Sequence, residues 1–405
     1  AGVRTGTPQA LGVAAGPLQA TGGAGGPQVG TTGVSGNGGG QVQKAISLGT
    51  DFPRQDITLL SWMTLHELSQ SKSGSNCWGY TSPSGREYAL VGLNKGTAFV
   101  EVTDPGNPQL IHHVPGSDSL WRDVRTYQHY AYVVTEGGDG IQVVDLSQID
   151  SGIVTHVNTV WAGGSNKTHT LTINEDSGYL YRSGGGSNGL RIYSLANPVI
   201  PTYVNAWQSR YVHAATVVSY TSGPYAGKEI AFCCGGLNGG QTDTGVDILD
   251  VTNKNNIQYL SHTSYSNSGY AHQAWPSEDL QYLYVGDELD ENGTNKTVTK
   301  ILDITDLSNP IELPEFESAK KAVSHNIYVK GDLIYEANDT AGLRVFDASD
   351  PLNPVETMWF DTYPEGSNAA FNGLWHVYPF FPSGLVIGSD VDRGLFTWWV
   401  GDPLI

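Results

Sequence analysis

From about residue 56 onward, apolar and polar residues alternate along most of the chain, in short stretches separated by turn residues. A period of two residues marks strands with one buried face, and the 3.6-residue period of helices is almost absent. The clearest stretches share one pattern, in which Asp-x-Ser/Thr-Asp/Asn is followed by a Pro or Asn turn and a further alternating run. Residues 247–260, DILDVTNKNNIQYL, are an example. Asn, Asp and Pro favour such turns, so the chain is predicted to be all-β.

This pattern recurs six times, and residues at the same point of it are 44, 49, 56, 53 and 44 positions apart: Val102, Leu146, Leu195, Val251, Ile304 and Ala348. Each interval holds four short strands. Repeats of about 40–50 residues with four strands each are typical of β-propeller blades. Seven innermost strands can be identified, beginning near Cys77, Arg122, His169, His213, His272, His325 and His376.

The last blade supplies only three strands of its own, ending at residues 394–400. Its outer strand is predicted to be residues 56–65, DITLLSWMTL, which resemble the outer strand at residues 256–265. Such a closure removes two sheet edges. Residues 51–405 are therefore predicted to form a seven-bladed β-propeller. The alternative of eight blades, with residues 1–50 folded in, is less favoured because that stretch lacks the strand pattern.

Residues 1–50 form a tail rich in glycine and small residues, with too little large apolar surface for a core of its own. Ordering such a segment costs about 1–2 kcal/mol per residue in backbone entropy, so we expect it to be ordered only against a partner surface. Glycine leaves the backbone free to pair with a sheet edge. The predicted partner is a second copy of this chain, in a head-to-tail oligomer or filament. The alternative is a tail lying along its own blades.

The formal net charge of −19 makes a nucleic acid an improbable partner and suits divalent cations. No run of 18 apolar residues is present, so no membrane span is predicted. The chain begins at Ala1, which fits a mature product whose leader has been removed. Of the three cysteines, Cys77 falls on the first blade, and Cys233 and Cys234 fall on the fourth. Because these blades are not neighbours, we expect buried thiols rather than a bridge.

Histidines recur at one place in the repeat. Three of them stand ten residues before a tyrosine of the following strand: His169 before Tyr179, His272 before Tyr282 and His325 before Tyr335. A side chain that recurs once per blade should converge with its equivalents at one mouth of the axial channel. Second strands end at that same face and supply Glu136, Asp287, Glu288, Asp339 and Asp390.

A metal centre is the favoured interpretation, because mixed imidazole and carboxylate sets suit Zn, Mn or Fe. The predicted ligands are His169, His213, His272, His325, Glu288 and Asp287. Residues predicted to surround the metal or to bind an anion are Arg122, His376, Asp123 and Asp339. The alternatives are an organic anion held with Arg122, or a polar channel filled with water.

A second candidate cation site lies in the acidic segment 286–295, GDELDENGTN. Its spacing mimics the first half of a calcium loop, but Thr299 stands where an EF-hand requires Glu. A looser calcium site at Asp290 and Asn292 remains an alternative to a solvated acidic turn. The expected cofactor is a divalent cation of open identity.

Several segments resemble the choice-of-anchor B family of secreted bacterial propellers with LVIVD-type repeats, and the resemblance covers roughly residues 56–400. They are GREYALVGLNKGTAFVEVTDPGNP, SLWRDV, AHQAWPSEDLQYLYVGDELDE, SHNIYVKGDLIYEANDTAGLRVFD and FDTYPEGSNAAFNGLWHVYPFFPSG. The resemblance implies a propeller, export and a surface location, with no established catalytic activity. Family members carry differing C-terminal anchors. This chain ends in GDPLI without one, so we expect its N-terminal tail to provide attachment.

Two classes of function follow. The favoured one is a non-enzymatic extracellular subunit that assembles through its tail and carries a metal at the propeller axis. The alternative is a metal-dependent extracellular hydrolase or oxidoreductase, with an open coordination position and a base such as Glu288.

Overall fold

The computed structural model describes residues 51–186, 189–291 and 296–401, and these form a seven-bladed β-propeller, as predicted. Beyond the strands, the described residues contain only two short 3-10 turns, Ile149–Ser151 and Asn238–Gly240. Within the described residues, no helix has the length and apolar character needed to cross a membrane. The tail at residues 1–50, and with it the predicted docking on a second copy, lies outside the described residues.

Each blade is a four-stranded antiparallel sheet in which the strands follow one another from the axis outward. Two strands precede the first blade: β1 (Arg54–Gln55) and β2 (Ile57–Met63). Blade 1 contains β3 (Gly74–Thr81), β4 (Glu87–Leu93), β5 (Gly96–Glu101) and β6 (Gln109–Pro115). Blade 2 contains β7 (Arg122–Tyr127), β8 (Tyr130–Thr135), β9 (Ile141–Asp145) and β10 (Thr155–Val160). Blade 3 contains β11 (Thr170–Asn174), β12 (Tyr179–Ser183), β13 (Leu190–Ser194) and β14 (Thr202–Trp207).

The remaining four blades repeat this arrangement. Blade 4 contains β15 (Ala214–Ser219), β16 (Glu229–Gly235), β17 (Gly245–Asp250) and β18 (Gln258–Thr263). Blade 5 contains β19 (Ala271–Pro276), β20 (Tyr282–Asp287), β21 (Val298–Asp303) and β22 (Ile311–Glu317). Blade 6 contains β23 (Asn326–Lys330), β24 (Leu333–Ala337), β25 (Leu343–Asp347) and β26 (Val355–Phe360). Blade 7 contains β27 (Leu374–Tyr378), β28 (Val386–Asp390) and β29 (Gly394–Val400), with β2 as its outer strand.

The predicted ring closure is confirmed. Strand β2 pairs antiparallel with β29, in a register that joins Ile57 to Val400 at one end and Met63 to Leu395 at the other. Trp62 stacks on Phe396 with ring centroids 5.8 Å apart. The sequence did not predict β1, which adds a fifth strand to the outer edge of blade 6 by pairing with β26.

The core lies between neighbouring blades, where the alternating apolar side chains are buried from both sides. The tyrosines at the third position of the second strands of blades 2, 3, 5 and 6 belong to it. Tyr132 and Tyr284 are almost fully buried, and each hydroxyl donates to a turn carbonyl of the following blade, at Pro198 (2.9 Å) and Pro351 (3.2 Å). These side chains therefore fix the spacing between blades as well as filling it.

All three cysteines are buried free thiols. Burial raises the pKa of each thiol. They are therefore packing residues and not reactive nucleophiles.

Candidate metal centre at the propeller axis

Four consecutive blades each place one histidine at the start of the innermost strand, on the same face of the propeller. His169, His213 and His325 immediately precede β11, β15 and β23, and His272 lies at a bulge in β19. The ring centroids of successive imidazoles are 4.1, 4.6 and 4.3 Å apart. The structure thus brings together the four histidines that the repeat predicted would converge.

One nitrogen of each imidazole is already engaged. The Nδ1 of His169 lies 2.6 Å from Oε1 of Glu136, and the Nδ1 of His213 lies 3.0 Å from the hydroxyl of Tyr270. The Nδ1 of His272 donates to the backbone carbonyl of His325, whose own Nδ1 donates to the carbonyl of Trp375 at 2.6 Å. Because a carbonyl only accepts, the hydrogen of His272 and of His325 is on Nδ1, which leaves a lone pair on Nε2. Metal-binding histidines are oriented in this same way.

Two overlapping groups of potential ligands result, and in each group one ligand atom per residue lies within 4.8 Å of the others. The first is His169, His213 and His272, and the second is His272, Glu288 and His325. His272 is common to both. The Nε2 of His213 is buried and has no hydrogen-bond partner among the described residues. A buried nitrogen without a partner is costly, and a bound cation would provide one.

The electrostatics keep His213, His272 and His325 in the neutral form that binds metals. Burial, followed by the proximity of the other histidines, lowers the pKa of His213 and His272 well below its usual value. Burial lowers the pKa of His325 to about 3. Glu288 is affected in the opposite direction, since burial raises its pKa to about 7. A cation placed here would stabilise the ionised form of Glu288.

Glu136 supports the centre from the end of β8. Burial is the largest single influence and would raise its pKa, but the hydrogen bond with His169, together with the charge interactions with His169 and Lys167, outweighs burial, and the pKa is lowered. Glu136 is therefore ionised at neutral pH and fixes the His169 ring, as a carboxylate behind a metal-binding histidine does.

Asp287, one of the predicted ligands, belongs to neither group. Its carboxylate accepts hydrogen bonds from the Tyr265 hydroxyl and from the backbone amides of Gly269, Tyr270 and Leu289, at 2.6–3.0 Å. These bonds position Tyr270, which in turn holds His213. Asp287 thus supports the site through Tyr270.

Arg122 and Asp123 also point elsewhere, although they open the innermost strand of blade 2. The Arg122 guanidinium donates to the carbonyls of Leu93 (3.0 Å) and Ser117 (2.7 Å). Asp123 accepts from Arg125 at 2.5 Å and from the backbone amide of Leu171 at 2.9 Å. Both residues tie neighbouring blades together, so the structure gives no support to an anion held between Arg122 and the histidines.

His376 is in neither ligand group, because it stands one residue beyond the position that the histidines occupy in their blades, as the matching bulges at His272 and Trp375 show. As a result Trp375 occupies the place equivalent to His325, with ring centroids 4.0 Å apart. The His376 ring lies 2.7 Å from the Tyr328 hydroxyl through Nε2 and 3.6 Å from the Cys77 sulfur through Nδ1. A shift of one residue moves a side chain to the other face of a strand, which explains the difference.

Asp339 is fully buried, and neither of its carboxylate oxygens has a hydrogen-bond partner within the part of the chain that the structure describes. Burial and the nearby Glu288 raise its pKa well above the usual value. In the predicted calcium loop, Asp290 is buried and forms an ion pair with Lys300 at 3.3 Å. Asn292 lies outside the described residues, so the calcium loop stays a prediction.

The aromatic supports of the site were not predicted, although a signal for one of them was present. Tyr270 stands two residues before His272, and Tyr211 two residues before His213. Residues two apart on a strand share a face, so these tyrosines could have been assigned to the same mouth. Trp375 was missed because no tyrosine follows either Trp375 or His376 by ten residues, so the spacing did not show which of the two holds the histidine position.

Comparison with known proteins gives one family match: residues 323–362 match the model of the LVIVD repeat. This segment corresponds to blade 6, from just before His325 to just after β26. No curated protein matches the chain.

Three solved structures are similar in fold. The hydrazine synthase of Kuenenia stuttgartiensis is 13% identical, and the match covers 78% of this chain and 94% of that chain with a TM-score of 0.55. The Cps50 (Swd1) β-propeller domain of Myceliophteria thermophila is 11% identical, with 80% of this chain and 96% of that chain covered and a TM-score of 0.55. A protein from Lactobacillus plantarum is 15% identical, with 73% of this chain and 84% of that chain covered and a TM-score of 0.54. At these identities the likeness extends to the fold alone. The chain is thus a seven-bladed β-propeller with one blade that matches the LVIVD repeat.

Proposed function

We propose that this protein is an extracellular, non-enzymatic β-propeller that binds one divalent transition-metal ion at its axis. The observation that carries the proposal is the arrangement of the four imidazoles. Each is fixed through Nδ1, and one ligand atom from each converges on its neighbours within the two groups that share His272. Side chains held in this way are preorganised for a metal ion.

A single ion is proposed because the two groups overlap. The lone pair of one Nε2 binds one ion, so His272 cannot serve both groups at once. Imidazole is a ligand of intermediate softness that suits Zn, Cu, Ni and Fe, whereas Ca and Mg prefer sites made of oxygen. The set of His272, Glu288 and His325 adds one carboxylate, which extends the range to Mn.

The surface location and the assembly role belong to the same proposal. The resemblance to the choice-of-anchor B family and the LVIVD match of residues 323–362 support an exported protein. The position of β1 supports docking by strand addition, since the segment directly after the tail already pairs along the outer edge of blade 6. Six outer strands each expose one large apolar residue, which makes these edges suitable for a further strand: Leu110, Val157, Tyr203, Tyr259, Ile311 and Val355.

A metal-dependent enzyme is the second candidate, and Glu288 and Asp339 favour it. Glu288 belongs to one ligand group, and Asp339 is close enough to Glu288 for their charges to interact. Both have raised pKa values, and Asp339 has no hydrogen-bond partner in the described ranges. A three-ligand set leaves a coordination position open, and a bound ion there would lower the pKa of a coordinated water to about 7. If His169, His213 and His272 held the ion, the carboxylate of Glu288 would not be needed as a ligand and could accept a proton.

Metal analysis of the purified full-length chain tests the binding proposal. We expect about one equivalent of a first-row metal, retained on gel filtration and removed by a chelator. His272→Ala should abolish retention, and His112→Ala, which changes an exposed histidine on β6, should not. Equal retention by both variants, or none in the wild type after reconstitution with Zn, Mn, Fe or Cu, would contradict the proposal.

Sedimentation velocity of the full chain and of a variant lacking residues 1–45 tests the assembly. We expect concentration-dependent oligomers of the full chain and a folded monomer of the shortened one. A full chain that stays monomeric at high concentration would overturn the docking proposal and leave the metal proposal untouched. Hydrolysis or oxidation that depends on the metal, and is lost in Glu288→Gln, would instead establish the enzyme.

A further inference from the structure

The opposite mouth of the propeller contains an aromatic pocket that the metal centre does not use. The histidines occupy the starts of the innermost strands, whereas this pocket is formed where several of the same strands end. Trp78 comes from β3, Trp275 from β19 and Tyr378 from β27, and Phe380 follows β27 directly. Glu175, in the turn after β11, completes the lining together with Thr126.

The pocket has the size of a ligand site. Its volume is about 520 Å³, within the range of about 300–1,000 Å³ that is usual for small-molecule sites. It continues into a narrower cavity of about 110 Å³, to which Trp78, Thr126, Glu175 and Trp275 also contribute. Arg125 and Gln273 line that inner part.

The aromatic side chains support one another, so the walls are rigid. Trp275 stacks on Phe380 with ring centroids 5.8 Å apart. Trp78 meets Tyr378 edge to face at 4.8 Å, and Tyr378 meets Phe380 in the same way at 5.5 Å. Trp78, Trp275 and Phe380 are only partly buried, so ring surface stays accessible from the pocket. Such rings present a negative face to a ligand.

The charges at the pocket are not balanced. Arg125 lies over the Trp78 ring at 4.1 Å, but Asp123 neutralises it through a hydrogen bond of 2.5 Å. Glu175 has no such partner, since it forms no hydrogen bond or ion pair with any residue of the described ranges. The pocket therefore offers aromatic faces and one uncompensated carboxylate, in a chain with a net charge of −19.

We propose that this aromatic pocket binds a small organic cation, either a quaternary ammonium or a protonated amine with an apolar body. The ring faces attract the cation and contact its methyl or methylene groups, while Glu175 supplies the opposite charge at the rim. The surrounding net charge raises the local concentration of cations. Among the described lining residues, the only cationic side chain is that of Arg125, and it already forms an ion pair with Asp123. The pocket therefore has no unpaired positive charge for an anion.

Titration of tryptophan fluorescence, with isothermal calorimetry as a second readout, tests the proposal. The probes are choline and its neutral isostere 3,3-dimethylbutan-1-ol, added to the full chain with and without a chelator. We expect saturable binding of choline at least tenfold tighter than that of the alcohol, equal in both conditions. Equal binding of the two probes, or no binding of choline, would overturn the assignment. Methyl glucoside is added as an uncharged sugar probe, and quenching by it without quenching by choline would likewise overturn the assignment.

Two variants of one turn locate the site. Glu175→Gln removes the carboxylate from an exposed position without disturbing the fold, and it should weaken choline binding about fivefold to tenfold. Asp176→Asn removes an equal charge one residue away, outside the lining, and should change the affinity less than twofold. A similar loss in both variants would show only general attraction to an acidic surface, which would contradict a site at Glu175. Since neither residue touches the histidines, failure here leaves the metal proposal standing.

Discussion

Blades 3–6 and the other three blades have the same strand architecture but present different side chains to the mouth of the channel. Blades 3–6 contribute the four imidazoles. Trp375 of blade 7 continues the row after His325 at 4.0 Å, and Trp121 of blade 2 lies 6.3 Å before His169. The row of aromatic rings thus extends beyond the histidines at both ends, but only its central part carries lone pairs.

The difference shows how a nearly symmetric ring acquires an asymmetric site. An indole nitrogen only donates, so the tryptophans end the row without adding ligands. Trp375 still orients a ligand through its backbone, since its carbonyl fixes the His325 ring. The His325 carbonyl fixes the His272 ring in the same way. Blades 5, 6 and 7 therefore each orient the ligand of the blade before them, whereas His169 is oriented by Glu136 of blade 2.

The largest expected effect comes from removing histidines one at a time. His272→Phe should weaken metal binding by at least 100-fold, because His272 belongs to both ligand groups. His169→Phe and His325→Phe should each cost less, since each residue belongs to one group. Trp375→Phe keeps the backbone carbonyl and should leave affinity unchanged. Competition titration with a zinc chelator measures all four, and equal losses at the three histidines would disprove the shared-ligand arrangement.

Glu288→Gln should reduce affinity by roughly 10–100-fold, a smaller effect than His272→Phe. The amide keeps the size of the side chain but removes the charge that a cation would stabilise. The pH dependence supplies a control. Because the pKa of Glu288 is raised to about 7, wild-type affinity should rise from pH 6 to pH 8, and the variant should lose most of that rise. Identical profiles would exclude Glu288 as a ligand.

Tyr270→Phe tests the support of His213. It removes the hydroxyl 3.0 Å from Nδ1 and should weaken metal binding roughly tenfold while barely changing the melting temperature. The matched control is Tyr284→Phe, which removes a buried hydroxyl that bonds to Pro351 in the core. That variant should lower stability by about 1 kcal/mol and leave affinity unchanged. The opposite pattern would make Tyr270 a packing residue only.

The smallest expected effect is on the stability of the metal-free protein between pH 6.5 and pH 8. Burial raises the pKa of Glu288, Glu336 and Asp390 to about 7, well above the usual value near 4 in the unfolded chain. The folded state therefore holds protons that the unfolded state has lost, and stability falls as the pH rises through 7. The buried histidines oppose this fall near pH 6.5, because their imidazoles are neutral in the folded state but still partly protonated in the unfolded chain, and this opposing contribution fades above about pH 7.5.

Circular dichroism melts with a chelator should show this fall in melting temperature, and a saturating metal should reduce it by stabilising ionised Glu288. A metal-free melting temperature that rises from pH 6.5 to pH 8 would contradict the buried, uncompensated carboxylates. Glu288→Gln is the internal control. Because this variant lacks one of the three carboxylates, its metal-free melting temperature should fall less between pH 6.5 and pH 8 than that of the wild type.

The sequence determined the architecture because its repeat is both regular and local. The Asp-x-Ser/Thr-Asp/Asn turns located the blades, and the likeness of residues 56–65 to an outer strand predicted the pairing with β29. Residues 54–55 were not predicted as a strand, since two residues carry no periodicity.

The sequence could predict a residue of the candidate site only where it showed the position of that residue along the innermost strand of its blade. His169, His272 and His325 share one spacing to the next strand, so their convergence followed from the repeat. His376 was placed among them although no tyrosine follows it by ten residues, so the spacing did not show that it is offset by one residue. The Asp287 carboxylate is turned away from the histidines by hydrogen bonds from the loop that contains Gly269 and Tyr270. The sequence does not show this loop contact, so it could not tell which of Asp287 and Glu288 faces the histidines.

Crystallography of the purified full chain, with anomalous data collected at and below a metal absorption edge, tests the central claim most directly. The claim predicts one anomalous peak at the axis, with the Nε2 atom of His272 about 2.0–2.1 Å away and further ligands from the two groups around it. An ion bound elsewhere, or histidines in the same positions with no anomalous peak after soaking with Zn or Mn, would contradict it.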